Sequence, residues 1–404
     1  MLLQERSGRG TASGRRLDEG HRQDVVEHER VDGPGRAQDV RVQQERLVRL
    51  RGDAPHVGRR DDGRHRHARE VEVRRRQQCG FRGRYNGRER RGLGEHPEVR
   101  FGFEAAVAGG IPVVRVLRDS LAGTEVKRIT GILNGTCNYL TTVMLEQGRE
   151  YEDVLAEAQR LGFAEADPTL DVSGMDAAHK AAILSAIAFS ADLDFSKVSV
   201  SGIDKVSLLD LRLADRLGYR IKLIAEGVLT DDGVVCRVEP LVLPASHPLA
   251  RVNGSLNTVR IEGDPVGAIT LTGPGAGAGP TASAVMGDVA KMFRPAIRPA
   301  FGRAAHHTGR PFVQGAPTEV APFFLRVYLP DQPGALAALT EALAKEGVSV
   351  DKLLQESGEE SGSAPVVIIT HRCPRANMQA ALERLEKIAK PIDAPRLIRI
   401  EAAS

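Results

Sequence analysis

From about residue 100 the chain alternates apolar runs with polar punctuation closely enough to define its elements one by one. The stretch VRFGFEAAVAGGIPVVRVLRDSLAG predicts a short strand, a turn at Gly109 and Gly110, and a helix carrying Pro112 in its first turn, where a missing N–H costs nothing. EVKRITGILNGTCNYLTTVMLEQG repeats the scheme with a strand to Leu133, a turn through Asn134 and Gly135, and a helix for Thr136 to cap. An acidic helix follows from Tyr151 to Leu161, and then a long apolar one reaching about Ser190. RIKLIAEGVLTDDGVVCRVEPLVLP and NTVRIEGDPVGAITLTGPG read as strands joined by turns such as Asp232-Gly233. GPGAGAGPTASAVMGDVAKMF leads from a flexible glycine loop into a helix.

A Pro-, Gly- and Arg-rich stretch around residues 301–320 reads as a linker, and the last 80 or so residues then show a sharp order of elements. FFLRVYL, PGALAALTEALAKEG, VSVDKLLQES, APVVIITH, RANMQAALERLEKIA and RLIRIE alternate as βαββαβ, the ferredoxin-like split unit. Between its first strand and helix, Asp331-Gln332-Pro333-Gly334 forms a turn at a helix amino terminus that suits an amino-acid ligand. The fold class expected for the chain is therefore α/β.

Composition changes this picture only at the amino terminus. Residues 1–100 hold 25 arginines, 17 Asp and Glu, and no lysine, so this quarter is strongly basic although the 404-residue chain carries only +3. Stretches such as RGDAPHVGRRDDGRHRHARE have no helical or alternating period and cannot bury a core. The interleaved acids and few aromatic residues argue against a nucleic-acid-binding arm. Arg and Gly in excess with Lys absent is what a GC-rich gene yields when read out of frame, and residues 1–95 are read in that way, as out-of-frame or disordered chain. The four cysteines, Cys79, Cys137, Cys236 and Cys373, lie far apart, so neither a zinc site nor a disulfide framework is expected and a reducing cytoplasm fits. No secretory leader pattern and no run of about 18 apolar residues occurs, which reads as a soluble protein without a membrane partner.

The candidate chemistry gathers in GFAEADPTLDVSGMDAAHK, residues 162–180. The helix after Gly174 is apolar over most of its circumference, and at 100° per residue Lys180 falls on the side of Asp176, Ile183, Leu184 and Ile187. Asp176 and Lys180 could form no more than an i,i+4 ion pair worth about 0.3–0.5 kcal/mol, with Ser173 and Asp176 as a capping box. The apolar surroundings count against that reading, because burying such a pair costs several kcal/mol. A lysine of reference pKa about 10.4, brought toward neutrality by burial yet held by a carboxylate, can donate or accept a proton. Glu165, Asp167 and Asp171 precede the helix, where acids suit its dipole, or where Glu165 with Asp176 could grip a substrate ammonium and hydroxyl.

FEAAVAGGIPVV, GILNGTCNYLTT, GFAEADPTLDVSGMDAAHK and GPGAGAGPTASAVMGD resemble, in order and separation, the signature blocks of homoserine dehydrogenase, and the carboxyl-terminal unit resembles an ACT domain. The resemblance implies reversible, NADP- or NAD-dependent reduction of aspartate semialdehyde to homoserine. It implies Lys180 as proton donor, Glu165, Asp171 and Asp176 as substrate ligands, and Gly162, Glu165, Gly275 and Gly277 near the cofactor. It further implies a sodium site at Glu104, Val107, Gly109 and Ile111, an amino-acid effector, threonine, at Asp331 and Gly334, and a homo-oligomer. The domain plan is then residues 96–300 as catalytic and dimerisation domain, 301–320 as linker and 321–401 as ACT domain. The family's GxGxxG-bearing βαβ unit, its acid about 20 residues on, and its Thr-Ala-Asn-Lys stretch are not found in residues 1–100. The alternative expectation is a catalytically impaired remnant that binds an amino acid and dimerises.

Overall fold

The computed structural model describes residues 102–293, 309–315, 319–356, 362–389 and 394–401, all within one unit of the chain. The arginine-rich segment 1–95, with the reading of it given above, lies outside them.

Strand β1 (Glu125–Ile132) leads to helix α1 (Gly135–Gln147), followed by α2 (Tyr151–Arg160) and, after a single turn at Thr169–Val172, α3 (Met175–Ala188). Helix α4 (Leu208–Arg216) precedes two long hairpins, β2 (Tyr219–Thr230) with β3 (Gly233–Pro244), and β4 (Leu256–Asp264) with β5 (Gly267–Pro274). Helix α5 (Ala278–Met292) and strand β6 (Arg310–Val313) close this half. The carboxyl-terminal half runs β7 (Phe323–Pro330), α6 (Ala335–Lys345), β8 (Val350–Gln355), β9 (Ser363–Thr370), α7 (Arg375–Ala389) and β10 (Arg396–Ile400), in the expected βαββαβ order.

Three local expectations are corrected. Residues 104–106 form a 3-10 turn where a strand was expected, because Glu104 turns its carboxylate back onto the backbone N–H groups of Val114 and Arg115. Asn134, not Thr136, caps α1: its Oδ1 accepts from Cys137 N at 2.8 Å, and the Thr136 hydroxyl donates instead to Phe163 O. The capping box at Ser173 and Asp176 does not form, since α3 starts from Gly174 in the left-handed conformation (φ +81°) and the Ser173 hydroxyl meets the carbonyl of Leu170. In addition, Arg310–Val313 within the expected linker is a strand, parallel to β3.

The two halves share one sheet, in the order β8-β9-β7-β10-β3-β2-β1-β4-β5. The joint is β10, antiparallel to β7 on one side and parallel to β3 on the other, with Arg399 opposite Leu241 and Ile400 opposite Val242. Helices α6 and α7 cover one face of the carboxyl-terminal sheet and the core of the other half covers the second, so every residue of β9 is buried, as its unbroken apolar run requires. Phe323, Leu325 and Val327 pack under α6 and α7, whereas Phe324, Val367, Ile369 and Ile398 join the core of the other half.

Charges pin the same joint. Glu226 on β2, 2% exposed, accepts from Arg237 Nε at 2.5 Å, Arg399 Nη2 at 3.0 Å and Arg128 Nε at 2.8 Å. Arg128 also grips Glu401, and Arg399 and Arg375 both reach Glu239. A second buried pair, Arg326 Nε to Asp210 Oδ1 at 2.5 Å, ties β7 to the amino terminus of α4. Burial alone would raise the Glu226 carboxyl, but Arg399, Arg237 and Arg128 outweigh it and hold it down at about 2, from an ordinary 4.5. Its contribution is thus present above pH 4.5 and is lost as pH falls toward 2. Glu226→Gln removes the buried carboxylate shared by the Arg128, Arg237 and Arg399 guanidinium groups and is expected to cost about 3–5 kcal/mol in urea unfolding, with the loss shrinking in melts run toward pH 2.

Candidate active site

The end of β1, the first turn of α1 and the first two turns of α3 converge on one polar cluster. Lys180, half-buried on α3, donates from Nζ to Asp176 Oδ2 at 2.6 Å and to the carbonyl of Leu133 at 3.1 Å. Asn134, 4% exposed, uses Oδ1 to cap its own helix and Nδ2 to donate to Asp171 Oδ1 at 2.7 Å and Asp176 Oδ2 at 3.0 Å. One asparagine thus spaces two carboxylates and aims both toward the lysine. Burial pushes the Asp171 carboxyl up, Asp176 adds to this, and the Asn134 amide opposes it. Cys137 lies beneath, its thiol on the carbonyl of Asp171 and driven well up by burial, so it acts as packing and not as a thiolate.

Of the residues expected from the sequence, Lys180, Asp176 and Asp171 meet. Glu165 is exposed on the loop after α2, where its backbone carbonyl accepts from the Gln159 amide. Gly162, in the left-handed region (φ +76°) with open space where a Cβ would stand, is exposed on the same loop. Gly275 and Gly277 belong to the loop between β5 and α5, and Gly277 (φ +112°) opens the helix. That loop is bare backbone held close: the turn at Gly109 (φ +45°) packs on it so tightly that a Cβ there would overlap the Gly275 carbonyl, and Gly110 N donates to Pro274 O at 3.1 Å.

Glu104, 2% exposed, accepts from Val114 N at 2.9 Å and Arg115 N at 3.0 Å, and Arg115 Nε stands 3.7 Å away. Burial raises its carboxyl against those bonds. The carbonyl of Ile111 accepts from Val113 N. In this arrangement Glu104 caps a helix. Among the described residues no three or more of His, Cys, Asp and Glu gather as a metal set. Asp331 and Gly334 are exposed at the start of α6, with Gly334 (φ +92°) at the cap position.

Sequence reasoning passed over Asn134, taken there as a turn residue, and Leu133, whose carbonyl anchors Lys180. An Asn directly before a helix that starts beside a carboxylate-rich loop was a usable signal for the first. A backbone acceptor leaves no such signal.

Comparison with known proteins bears on the same residues. The homoserine dehydrogenase family model matches residues 112–290 and the ACT domain model residues 323–390. The homoserine dehydrogenase of Neisseria gonorrhoeae is 41% identical over 319 residues, 77% of this chain and 73% of its own. That of Pseudomonas aeruginosa is 41% identical over 300 residues, 72% and 69% respectively. The crystal structure of a homoserine dehydrogenase from Thiobacillus denitrificans superimposes with a TM-score of 0.68 at 34% identity, over 77% of this chain and 75% of that one. The mixed-sheet α/β fold and these relatives define the class, an oxidoreductase with a ferredoxin-like unit at its carboxyl terminus. The chain belongs to the homoserine dehydrogenase family and carries a carboxyl-terminal ACT domain.

Proposed function

We propose that the cluster at Lys180 interconverts L-aspartate 4-semialdehyde and L-homoserine, serving threonine, methionine and isoleucine synthesis from the cytoplasm. The observation that carries this reading is the lysine ammonium held on Asp176 and the Leu133 carbonyl at the mouth of a carboxylate pair. Lys180 Nζ gives its proton to the aldehyde oxygen as that oxygen becomes a hydroxyl, and takes one back in the reverse direction. Asp176 holds Lys180 in place through Oδ2 and, with Asp171 and the exposed Glu165, binds the amino-alcohol's ammonium and hydroxyl.

A nicotinamide dinucleotide, NADP or NAD, supplies the hydride when bound. Bare backbone at Gly162, Gly275 and Gly277, with Glu165 beside it, fits the approach of such a group, since each glycine is at least partly exposed and Gly162 and Gly277 adopt conformations that a Cβ would strain. No dinucleotide-binding βαβ unit occurs among the described residues. We read residues 1–95 as the place of that unit, encoded in another frame. The family resemblance would put a sodium ion among the oxygens of Glu104, Val107, Gly109 and Ile111. Glu104 and Ile111 are already bonded to backbone N–H groups and fit a cap better than a cation shell, so no step is routed through an ion. The turn at Asp331 and Gly334 is the place for threonine, and the chain works as a homo-oligomer. No helix among the described residues is long and apolar enough to cross a membrane.

Titration calorimetry with L-homoserine tests the substrate site without needing turnover. The chain as it stands is expected to bind L-homoserine, and Asp176→Asn to weaken that binding at least about tenfold, the value of a charge-assisted hydrogen bond. Saturable threonine binding with none of L-homoserine would instead favour the impaired, amino-acid-binding remnant.

A further inference from the structure

Asn257, the second residue of β4, is 1% exposed and lies behind the Lys180 cluster. Its Nδ2 donates to the carbonyl of Leu133 at 3.1 Å, the same oxygen that accepts from Lys180 Nζ at 3.1 Å. Its Oδ1 is buried without a donor among the described residues. The amide orientation is set by Leu133, because a flipped amide would press oxygen on oxygen. On the other face the amide lies flush with Gly275: a Cβ there would overlap Cγ, Oδ1 and Nδ2 of Asn257 at once. Gly275 in turn is backed by the Gly109 turn. A continuous contact therefore runs from the Gly109 turn through the glycine loop, the Asn257 amide and the Leu133 carbonyl to Lys180.

A buried acceptor left unpaired is destabilising, so a residue there for packing alone would be better replaced by an apolar one of similar volume. We propose that Asn257 is a positioning residue: by holding the Leu133 carbonyl against the Lys180 ammonium, it makes the placement of the proton donor depend on the placement of the glycine loop. Gly275 is required by the same geometry, since any side chain there would push the amide off Leu133. This inference rests on Lys180 being the proton donor. Its prediction concerns the lysine itself and can be read without substrate.

The test is acylation of the full chain by acetic anhydride between pH 7 and 10, with each lysine followed by mass spectrometry. Lys127, whose side chain is 60% exposed, is the internal reference, and Lys222, buried against Asn138 and Thr142 on α1, reports general loosening. Asn257→Leu, close in volume, and Asn257→Ala are expected to raise the Lys180 rate relative to Lys127 at least about threefold, with Lys222 unchanged, because one of two anchors is lost. Gly275→Ala, which keeps the asparagine in the sequence but displaces its amide, is expected to do the same. A Lys180 rate unchanged in folded Asn257→Leu and in Gly275→Ala overturns the proposal, as does a rise shared equally by Lys222. Absent L-homoserine binding in the calorimetric experiment would instead count against the proposed substrate and leave the lysine result standing.

Discussion

A gene in which the first 95 or so codons are returned to the phase of the remainder is expected to yield a protein that oxidises L-homoserine with NADP or NAD at least about 100-fold faster than the chain as written. Proximity and orientation of a bound hydride donor contribute several kcal/mol to such a reaction, and a chain that cannot hold the donor forfeits that contribution. The segment concerned has 25 arginines and no lysine in its first 100 residues, whereas the described residues form a well-packed core with lysines at structural and site positions. Both proteins should bind L-homoserine alike, since the Lys180 cluster lies wholly in residues they share. Turnover by the unaltered chain within tenfold of the restored one, or no dinucleotide-binding pattern in either other phase, would contradict the frame reading.

In the restored protein, Lys180→Met is expected to lower kcat about 10²- to 10⁴-fold, the usual contribution of a positioned general acid. The side chain it removes spans Asp176 and the Leu133 carbonyl, so two acceptors lose a charged donor as well as the reaction losing its proton. KM should change far less than kcat if Asp171 and Glu165 carry most of the ground-state binding. The pH profile separates this from a folding defect: the wild-type rate should depend on the protonation of one group that the methionine variant lacks. Equal losses in kcat at every pH, with an unchanged profile, would place the proton donor elsewhere.

How much of this could be read from residue order depends on the range of each contact. Asp176 and Lys180 are four apart on one helix, so their pairing follows from helical geometry alone. The βαββαβ order was equally legible, because each element carries its own period and its own turn. Asn257 was not, because its partner Leu133 lies 124 residues away and an asparagine near the start of a strand is an ordinary sight. The joining of the two halves was hidden for a related reason: RLIRI has the same pattern whether its second edge faces water or another strand, and the stretch before β7 looked like a spacer. One cue was available. Glu226 stands as a lone carboxylate in the apolar run RIKLIAEGVL, and a buried acid of that kind demands cations brought from elsewhere, here Arg128, Arg237 and Arg399.

The parallel pairing of β10 with β3 has a consequence during synthesis. On the ribosome, Leu241 and Val242 emerge long before Arg399 and Ile400, their partners on β10. At a translation rate of about 5–20 residues per second, that part of the β3 edge waits roughly 8–30 s for its partner. During this interval it is an unpaired apolar edge, open to strands of neighbouring nascent chains. The vulnerable state of this protein is therefore the polypeptide from which β10 has yet to emerge, and slowing the codons just before and within β10 should raise the aggregated fraction more than slowing those of α1.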